Sequence, residues 1–308
     1  MLKNKKVIVI VGPTCSGKTE VAISLSGKIP SEIISADSRQ VYKLLNIGTA
    51  KPTPEELQKT KHHFIDFLNP NEIYNVSKFE KDVLTKIDEL LKNNKTPIIV
   101  GGSGLYIRAI VDGIFDVVDT DEEYRKKLMK EREKFGNDFL LEKLKKIDPK
   151  SAAKLIPQNW KRIIRALEVY KLTGEPIWKL QEEYKRETNF NFQQFGLNWQ
   201  RETLYKNIEL RVDKMIELGL VEEVKEILAL GFNKNINALN TVGYKEIIEY
   251  LDKKISLERA IELIKRNTRR YAKRQLTWFR KDKRIKWLDI NDKKDLSKVT
   301  QSITEDIS

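Results

Sequence analysis

Short β-branched runs punctuate the first third of the chain: "VIVIV" at 7–11, "EIISAD" at 32–37, "HFIDFL" at 63–68 and "TPIIVGG" at 96–102. Helical spacing fills the intervals between them. Apolar runs of this length that alternate with helices predict an α/β fold, a parallel sheet flanked by helices on both faces. In such sheets ligands gather at the carboxyl ends of the strands, here at Gly12 to Thr19, Asp37 to Gln40 and Gly101 to Tyr106. The texture then changes to charge-rich helical patterns over 116–191, with the "DP" at 148–149 as a break. This segment is expected to form an all-helical insertion domain between two parts of a catalytic core, 1–115 and 192–308. "FQQFGLNW" at 192–199 reads as a strand returning to the core, followed by helices to about Arg284 and a last strand at "IKWLDI", 285–290. Repeats, low-complexity tracts and Gly/Ser/Pro linkers are absent from the sequence, so the insertion is expected to be packed rather than tethered.

Composition narrows the partners. Of 308 residues 40% are hydrophobic, enough for a substantial core, and Lys and Arg exceed Asp and Glu by 13. That excess favours a polyanionic partner, although a lysine-biased genome would give the same balance. One cysteine, Cys15, excludes an internal disulfide framework and fits a reducing cytoplasm. The first apolar run is too short and too β-branched for a signal peptide, and no run approaches the roughly 20 apolar residues of a membrane span. A cytoplasmic protein without membrane association is expected.

"GPTCSGKT", Gly12, Pro13, Thr14, Cys15, Ser16, Gly17, Lys18 and Thr19, matches the phosphate-loop pattern GxxxxGK[ST] and has the strand before it and the helix after it that such a loop needs. Loop amides and the helix N-terminus face an anion, Lys18 adds a mobile charge, and the Thr19 hydroxyl can hold Mg²⁺. Cys15 is either a reactive thiol or a small residue filling a tight turn. A nucleotide hydrolase needs a further acid at a strand end, yet "TPIIVGG" ends in glycines while "IISADSRQ" ends in Asp37. Asp37 can order a metal, act as general base, or cap the next segment. The glycines of "GGSGLY" allow close approach to a ligand beside Ser103, or a turn through left-handed conformations. Neighbouring histidines in "HHFID" point to opposite faces of a strand, which favours a structural role over metal binding.

Near the C-terminus, "IKRNTRRYAKRQLTWFRKDKR" places Ile264, Ala272, Leu276 and Phe279 on one helical stripe, continuing from Ile261, with Arg266, Arg269, Arg270, Lys273 and Arg274 around the rest. One face packs and the other meets an anion. Tyr271 and Trp278 among the cations favour RNA over a merely solvated face, since aromatic and guanidinium planes stack on unpaired bases. "NWKRIIRALEVY" repeats the theme with Arg162 and Arg165 three apart.

Taken in order, "GPTCSGKT", "ADSRQVYKLLNIGTAKP", "HHFID", "GGSGLYIRAI", "NWKRIIRALEVYKLTG", "GLVEEV", "TVGYKEI" and "TRRYAKRQLTWFR" resemble the motifs of the bacterial tRNA dimethylallyltransferase family, covering nearly all of 7–280. The resemblance implies a P-loop that binds dimethylallyl diphosphate with Mg²⁺ and releases diphosphate, rather than hydrolysing ATP. It implies transfer of the dimethylallyl group to the exocyclic amine of the adenosine 3′ of the anticodon. Residue by residue it implies that Thr14 to Thr19 hold diphosphate and metal, that Asp37 is the base, and that Lys18, Ser103 and Arg211 assist at the leaving group. It further implies that Asp37, Ser38, Arg39, Gln40 and Ser103, then Lys161, Arg162, Ile163, Ile164 and Arg165, then Asn240, Thr241, Val242, Gly243, Tyr244 and Lys245 touch the tRNA anticodon stem-loop. Arg269, Lys273 and Arg274 join them from the basic helix. Three positions depart from the family's usual residues: Cys15 for alanine, Ser103 for threonine and Lys161 for glutamine. A monomer is expected. The rival readings are a P-loop kinase of a small metabolite or nucleotide, and a nucleotide-sensing RNA-binding module.

Overall fold

The computed structural model describes residues 5–115, 120–184, 186 and 188–307. Two compact units emerge, Met1–Val111 with Asn189–Ser308, and Asp112–Thr188. The expected start of the insertion at 116 lies outside the described residues, and its expected end at 191 falls within strand β5 of the first unit.

In the first unit six parallel strands run in the order β3-β2-β4-β1-β5-β6. They are β1 (Lys6–Val11), β2 (Ser31–Ser35), β3 (His62–His63), β4 (Thr96–Gly101), β5 (Asn191–Trp199) and β6 (Lys286–Ile290). Side chains on a strand alternate between faces, so β1 divides its apolar run between two cores. Val7, Val9 and Val11 join helices α3 (Val76–Lys92) and α4 (Gly104–Asp112) on one face, with α10 (Leu220–Ala229), α11 (Tyr244–Leu251) and α12 (Leu257–Phe279). Ile8 and Ile10 join α1 (Lys18–Ser26), α9 (Arg201–Glu217) and α13 (Asp295–Ile307) on the other. The five apolar side chains of β1, Val7 to Val11, are fully buried, each worth about 1.5–3 kcal/mol. The helices after the neighbouring strands β1 and β4 thus cover opposite faces, which opens a crevice at their carboxyl ends.

Two expectations need correction here. The strand expected at 63–68 ends at His63, because Phe64 and Asp66 take left-handed conformations (φ 63° and 59°) and the chain turns to donate the Asp66, Phe67 and Leu68 amides to Gln40 and Val41 carbonyls. A short helix, α2 (Pro54–Lys59), precedes β3. The last helix, α13, has no counterpart among the expected elements, although Leu296, Val299, Ile303 and Ile307 hold helical spacing and are buried.

The second unit is built from α5 (Glu122–Ile147), α6 (Pro149–Ala152), α7 (Trp160–Thr173) and α8 (Ile177–Glu183). Gly136 (φ 85°, ψ 175°) kinks α5, and Asp148 ends it while capping α6 through the Ser151 amide at 2.9 Å. Leu128, Leu140, Leu144, Ile163 and Leu167 form its core. Inside that core Glu168 is fully buried and accepts from the Asp121 amide (2.8 Å), Arg125 (2.8 Å) and Arg165 (2.7 Å).

Candidate active site

Three loops meet at the carboxyl ends of β1, β2 and β4. The first is the phosphate loop. Gly12 (φ 155°) and Gly17 (φ 81°) stand where a side chain would be strained, and between them Cys15 holds φ 64° with its thiol buried among apolar neighbours. Cys15 is thus a small buried residue in a tight turn. Lys18 Nζ donates to the Pro13 carbonyl at 2.5 Å, curling back over the loop. Burial first, and the nearby Arg211 guanidinium second, bring its ammonium down from 10.5 to about 8, while Asp37 and Cys15 push the other way. Those mutual effects bring Lys18, Arg211 and Asp37 into one electrostatic neighbourhood. Arg211 is exposed and has no ion-pair partner among the described residues. The Thr19 hydroxyl likewise has no hydrogen-bond partner among them.

The second loop is the Asp37 turn. One carboxylate oxygen, Oδ1, accepts from the Arg39 and Gln40 amides at 2.8 and 3.3 Å, so Asp37 caps its own turn. The other oxygen, Oδ2, has no hydrogen-bond partner among the described residues. Ser103 Oγ accepts from the Ser38 amide at 3.1 Å and ties this turn to the third loop, the glycine turn after β4. Tyr271 of α12 lies near the same carboxylate: burial and then the Asp37 charge hold its hydroxyl protonated well above the ordinary tyrosine range.

Of the two roles expected for the glycines of that third loop, the left-handed turn is not the one the backbone takes. Gly101, Gly102 and Gly104 all lie outside the left-handed region. They are glycine because other groups occupy the space: a Cβ would overlap the Ala36 carbonyl at Gly101, the Gln275 amide at Gly102 and the Trp278 ring at Gly104. Gln275 is absent from the expected site residues. It sits on the buried stripe of α12, 6% exposed, accepting from the Thr14 amide at 2.8 Å and donating to the Gly102 carbonyl at 3.0 Å. A glutamine in the interval Ala272, Gln275, Phe279 is the signal the sequence offers for it. Trp199 at the end of β5 donates to the Ser16 carbonyl at 2.9 Å, and Leu296 of α13 fills the space beside Gly17.

Several residues assigned to RNA contact also make contacts within the protein. The Gln40 side chain is used at both ends, donating to the Thr49 and Ala50 carbonyls (3.2 and 3.0 Å) and accepting from Ser35. Ile163 and Ile164 are core residues of the helical unit, and Arg165 is held by Glu168. Gly243 and Tyr244 are buried. The Tyr244 hydroxyl donates to Glu223 Oε1 at 2.7 Å, and the Glu223 carboxylate also accepts the Asn46, Ile47 and Gly48 amides at 2.9, 2.8 and 3.2 Å. This joins "GLVEEV", "TVGY" and "NIGT" into one structural knot. Thr241 donates to the Ala238 carbonyl, Val242 packs against the core, Arg269 pairs with Glu209 at 2.7 Å, and Arg39 donates to the Asn237 carbonyl at 2.7 Å. Lys161, Arg162, Asn240, Lys245, Lys273 and Arg274 are exposed. Trp199 also lines a cleft of about 550 Å³ with Arg201, Tyr205, Lys273, Thr277 and Arg280. His63 meets Glu32 at 2.5 Å and His62 meets the Thr60 carbonyl at 2.9 Å, so both imidazoles are tied to protein groups.

Set beside known proteins, the chain matches the family described as IPP transferase over residues 40–282. It is 48% identical to the tRNA dimethylallyltransferase of Carboxydothermus hydrogenoformans, over 97% of this chain and 96% of the relative, and 46% identical to that of Pelotomaculum thermopropionicum, over 98% and 96%. Among solved structures, the full-length tRNA isopentenylpyrophosphate transferase of Bacillus halodurans superposes with a TM-score of 0.72 at 40% identity, covering 98% of this chain and 96% of that one. A eukaryotic dimethylallyltransferase captured acting on tRNA gives 0.81 at 30% identity, covering 97% and 78%. With a phosphate loop, an aspartate turn and a glycine turn converging on one crevice, and with relatives alike over almost their full length, the chain belongs to the IPP transferase family of tRNA-modifying prenyltransferases.

Proposed function

We propose that this enzyme transfers the dimethylallyl group of dimethylallyl diphosphate to the exocyclic N6 amine of the adenosine 3′ of the anticodon, releasing diphosphate. The observation that carries this reading is the pairing of a complete phosphate loop with a β4 that ends in Gly101 instead of an acid, while the acid Asp37 stands one strand away with its Oδ2 unpartnered among the described residues. Such a site cradles a leaving anion and accepts a proton. In the step, the N6 lone pair forms a bond to the allylic carbon, and that carbon's bond to diphosphate oxygen breaks with its electron pair leaving on the diphosphate. The N6 proton passes to Asp37 Oδ2, because Oδ1 is already engaged by backbone amides. Lys18, Arg211 and the loop amides meet the charge that gathers on the departing group, each such donor contributing about 3 kcal/mol.

The Thr19 hydroxyl, without a hydrogen-bond partner among the described residues, fits Mg²⁺, which takes few protein oxygens and completes its shell with water and substrate phosphates. When bound there, the ion would neutralise diphosphate charge. The adenosine must leave its stack to reach a crevice at the strand ends, which costs less in a hairpin loop than in a duplex. Exposed cations support a polyanionic partner on each unit: Lys161 and Arg162 on the helical one, and Lys273, Arg274 and Arg280 at the end of α12.

The test is to incubate the protein with unmodified tRNA, Mg²⁺ and labelled dimethylallyl diphosphate, digest the RNA and identify the prenylated nucleoside. Asp37→Ala is expected to lower turnover by about 10²–10⁴-fold while tRNA binding stays nearly intact. Lost binding with unchanged turnover would refute the base assignment.

A further inference from the structure

We propose that Gln275 is a positioning residue whose side-chain amide fixes the separation between the phosphate loop and the glycine turn after β4, and so sets the width of the anion cradle. The proposal rests on reading that crevice as a diphosphate site. A primary amide on the apolar stripe of a helix is unfavourable unless its polar atoms are matched, and at Gln275 both ends are matched to catalytic loops. Its carbonyl takes the Thr14 amide, so that donor is engaged within the protein. Its NH₂ group takes the Gly102 carbonyl, one residue before the Ser103 that ties down the Asp37 turn. The fit leaves no slack, since any side chain at Gly102 would overlap the Gln275 amide, and one turn further on Trp278 closes over Gly104 in the same way. A leucine or methionine at 275 would fill the stripe equally well, so packing alone does not account for glutamine there.

The consequence is kinetic. Preorganised donors lose about 10²-fold in rate for a displacement near 1 Å, so releasing this strut should act on the diphosphate and not on RNA binding. In the full chain, Gln275→Met is expected to weaken binding of inorganic pyrophosphate by calorimetry. It should also lower kcat/KM for dimethylallyl diphosphate by about 10²-fold, with the Kd for unmodified tRNA changed less than about twofold. Gly102→Ala should cause a comparable loss in the native background and a much smaller additional one in a Gln275→Ala background, where the added methyl has room. Gln275→Glu, which keeps the acceptor for Thr14 but not the donor for Gly102, is measured in the same way should the methionine variant fail to fold. An unchanged pyrophosphate Kd in the Gln275 variants, or losses at 102 and 275 that simply multiply, would overturn the strut. A native protein that binds no pyrophosphate would overturn the diphosphate reading instead.

Discussion

Raising the pH should disarm the cradle by discharging Lys18. Burial, then the Arg211 guanidinium, hold Lys18 at about 8 instead of 10.5. Half the molecules then carry a neutral Lys18 near pH 8, and by pH 9 about one in ten retains the ammonium. Because kcat/KM reports the free enzyme, kcat/KM for dimethylallyl diphosphate should fall about tenfold per pH unit above pH 8. Bound diphosphate favours the charged lysine, so kcat at saturation should hold to higher pH. Initial rates between about pH 6.5 and about pH 10, at fixed Mg²⁺ and ionic strength, would trace both profiles. Lys18→Arg should lose the alkaline limb, since guanidinium does not titrate in that range. The linked stability runs the other way: between about pH 8 and 10.5 the unfolded chain binds more protons than the folded one, so this lysine makes the fold more stable as pH rises. A kcat/KM that stays flat through about pH 9.5, or a limb that survives in Lys18→Arg, would refute the reasoning.

Two further outcomes follow from the hydrogen bonds and the surface charge. Tyr244→Phe removes a buried donor from the Glu223 carboxylate that holds the Asn46 to Gly48 loop, and should cost about 1.5–3 kcal/mol in urea unfolding; a loss below about 0.5 kcal/mol would show that the knot is not strained by the deletion. Removing the exposed Lys273 or Arg274 should weaken tRNA binding and flatten the slope of log K against log salt by about one for each phosphate left without its cation, and an unchanged slope would take α12 out of the RNA interface.

Most of the sheet was legible because parallel strands buried on both faces read as apolar β-branched runs, as β1, β2 and β4 do, whereas β5 has no β-branched residue and shows itself through Phe192, Phe195, Leu197 and Trp199. "HFIDFL" carries the same composition but serves a different end. Its backbone turns through two left-handed residues to pair with the return of the Asp37 loop, a long-range demand that composition does not register. The same limit applies to RNA contacts assigned by motif. Ile163, Ile164 and Tyr244 sit among exposed cations in sequence, yet the helical period turns them inward, and hydrophobic spacing could have said so. Arg165 could not have been sorted that way, because its partner Glu168 is a charge buried in the apolar core of its own unit.

What the chain shows locally and what it hides divide along a physical line. A phosphate loop, an aspartate turn and a serine beside glycines are each made by a few consecutive residues, because a turn is a local geometry that one short segment must satisfy by itself. Holding three such turns at the right separation is not local. The groups that do it come from far along the chain: Gln275 reaches the loop across 261 positions and Trp199 across 183, just as Glu223 holds the neighbouring Asn46 to Gly48 loop across 177. Each reads alone as an ordinary helix or strand residue. Their traces are instead the glycines at the receiving ends, Gly102 against Gln275 and Gly48 against Tyr244, which record the shape of a distant side chain. A glycine outside the left-handed region, next to a catalytic turn, therefore marks where a remote strut lands.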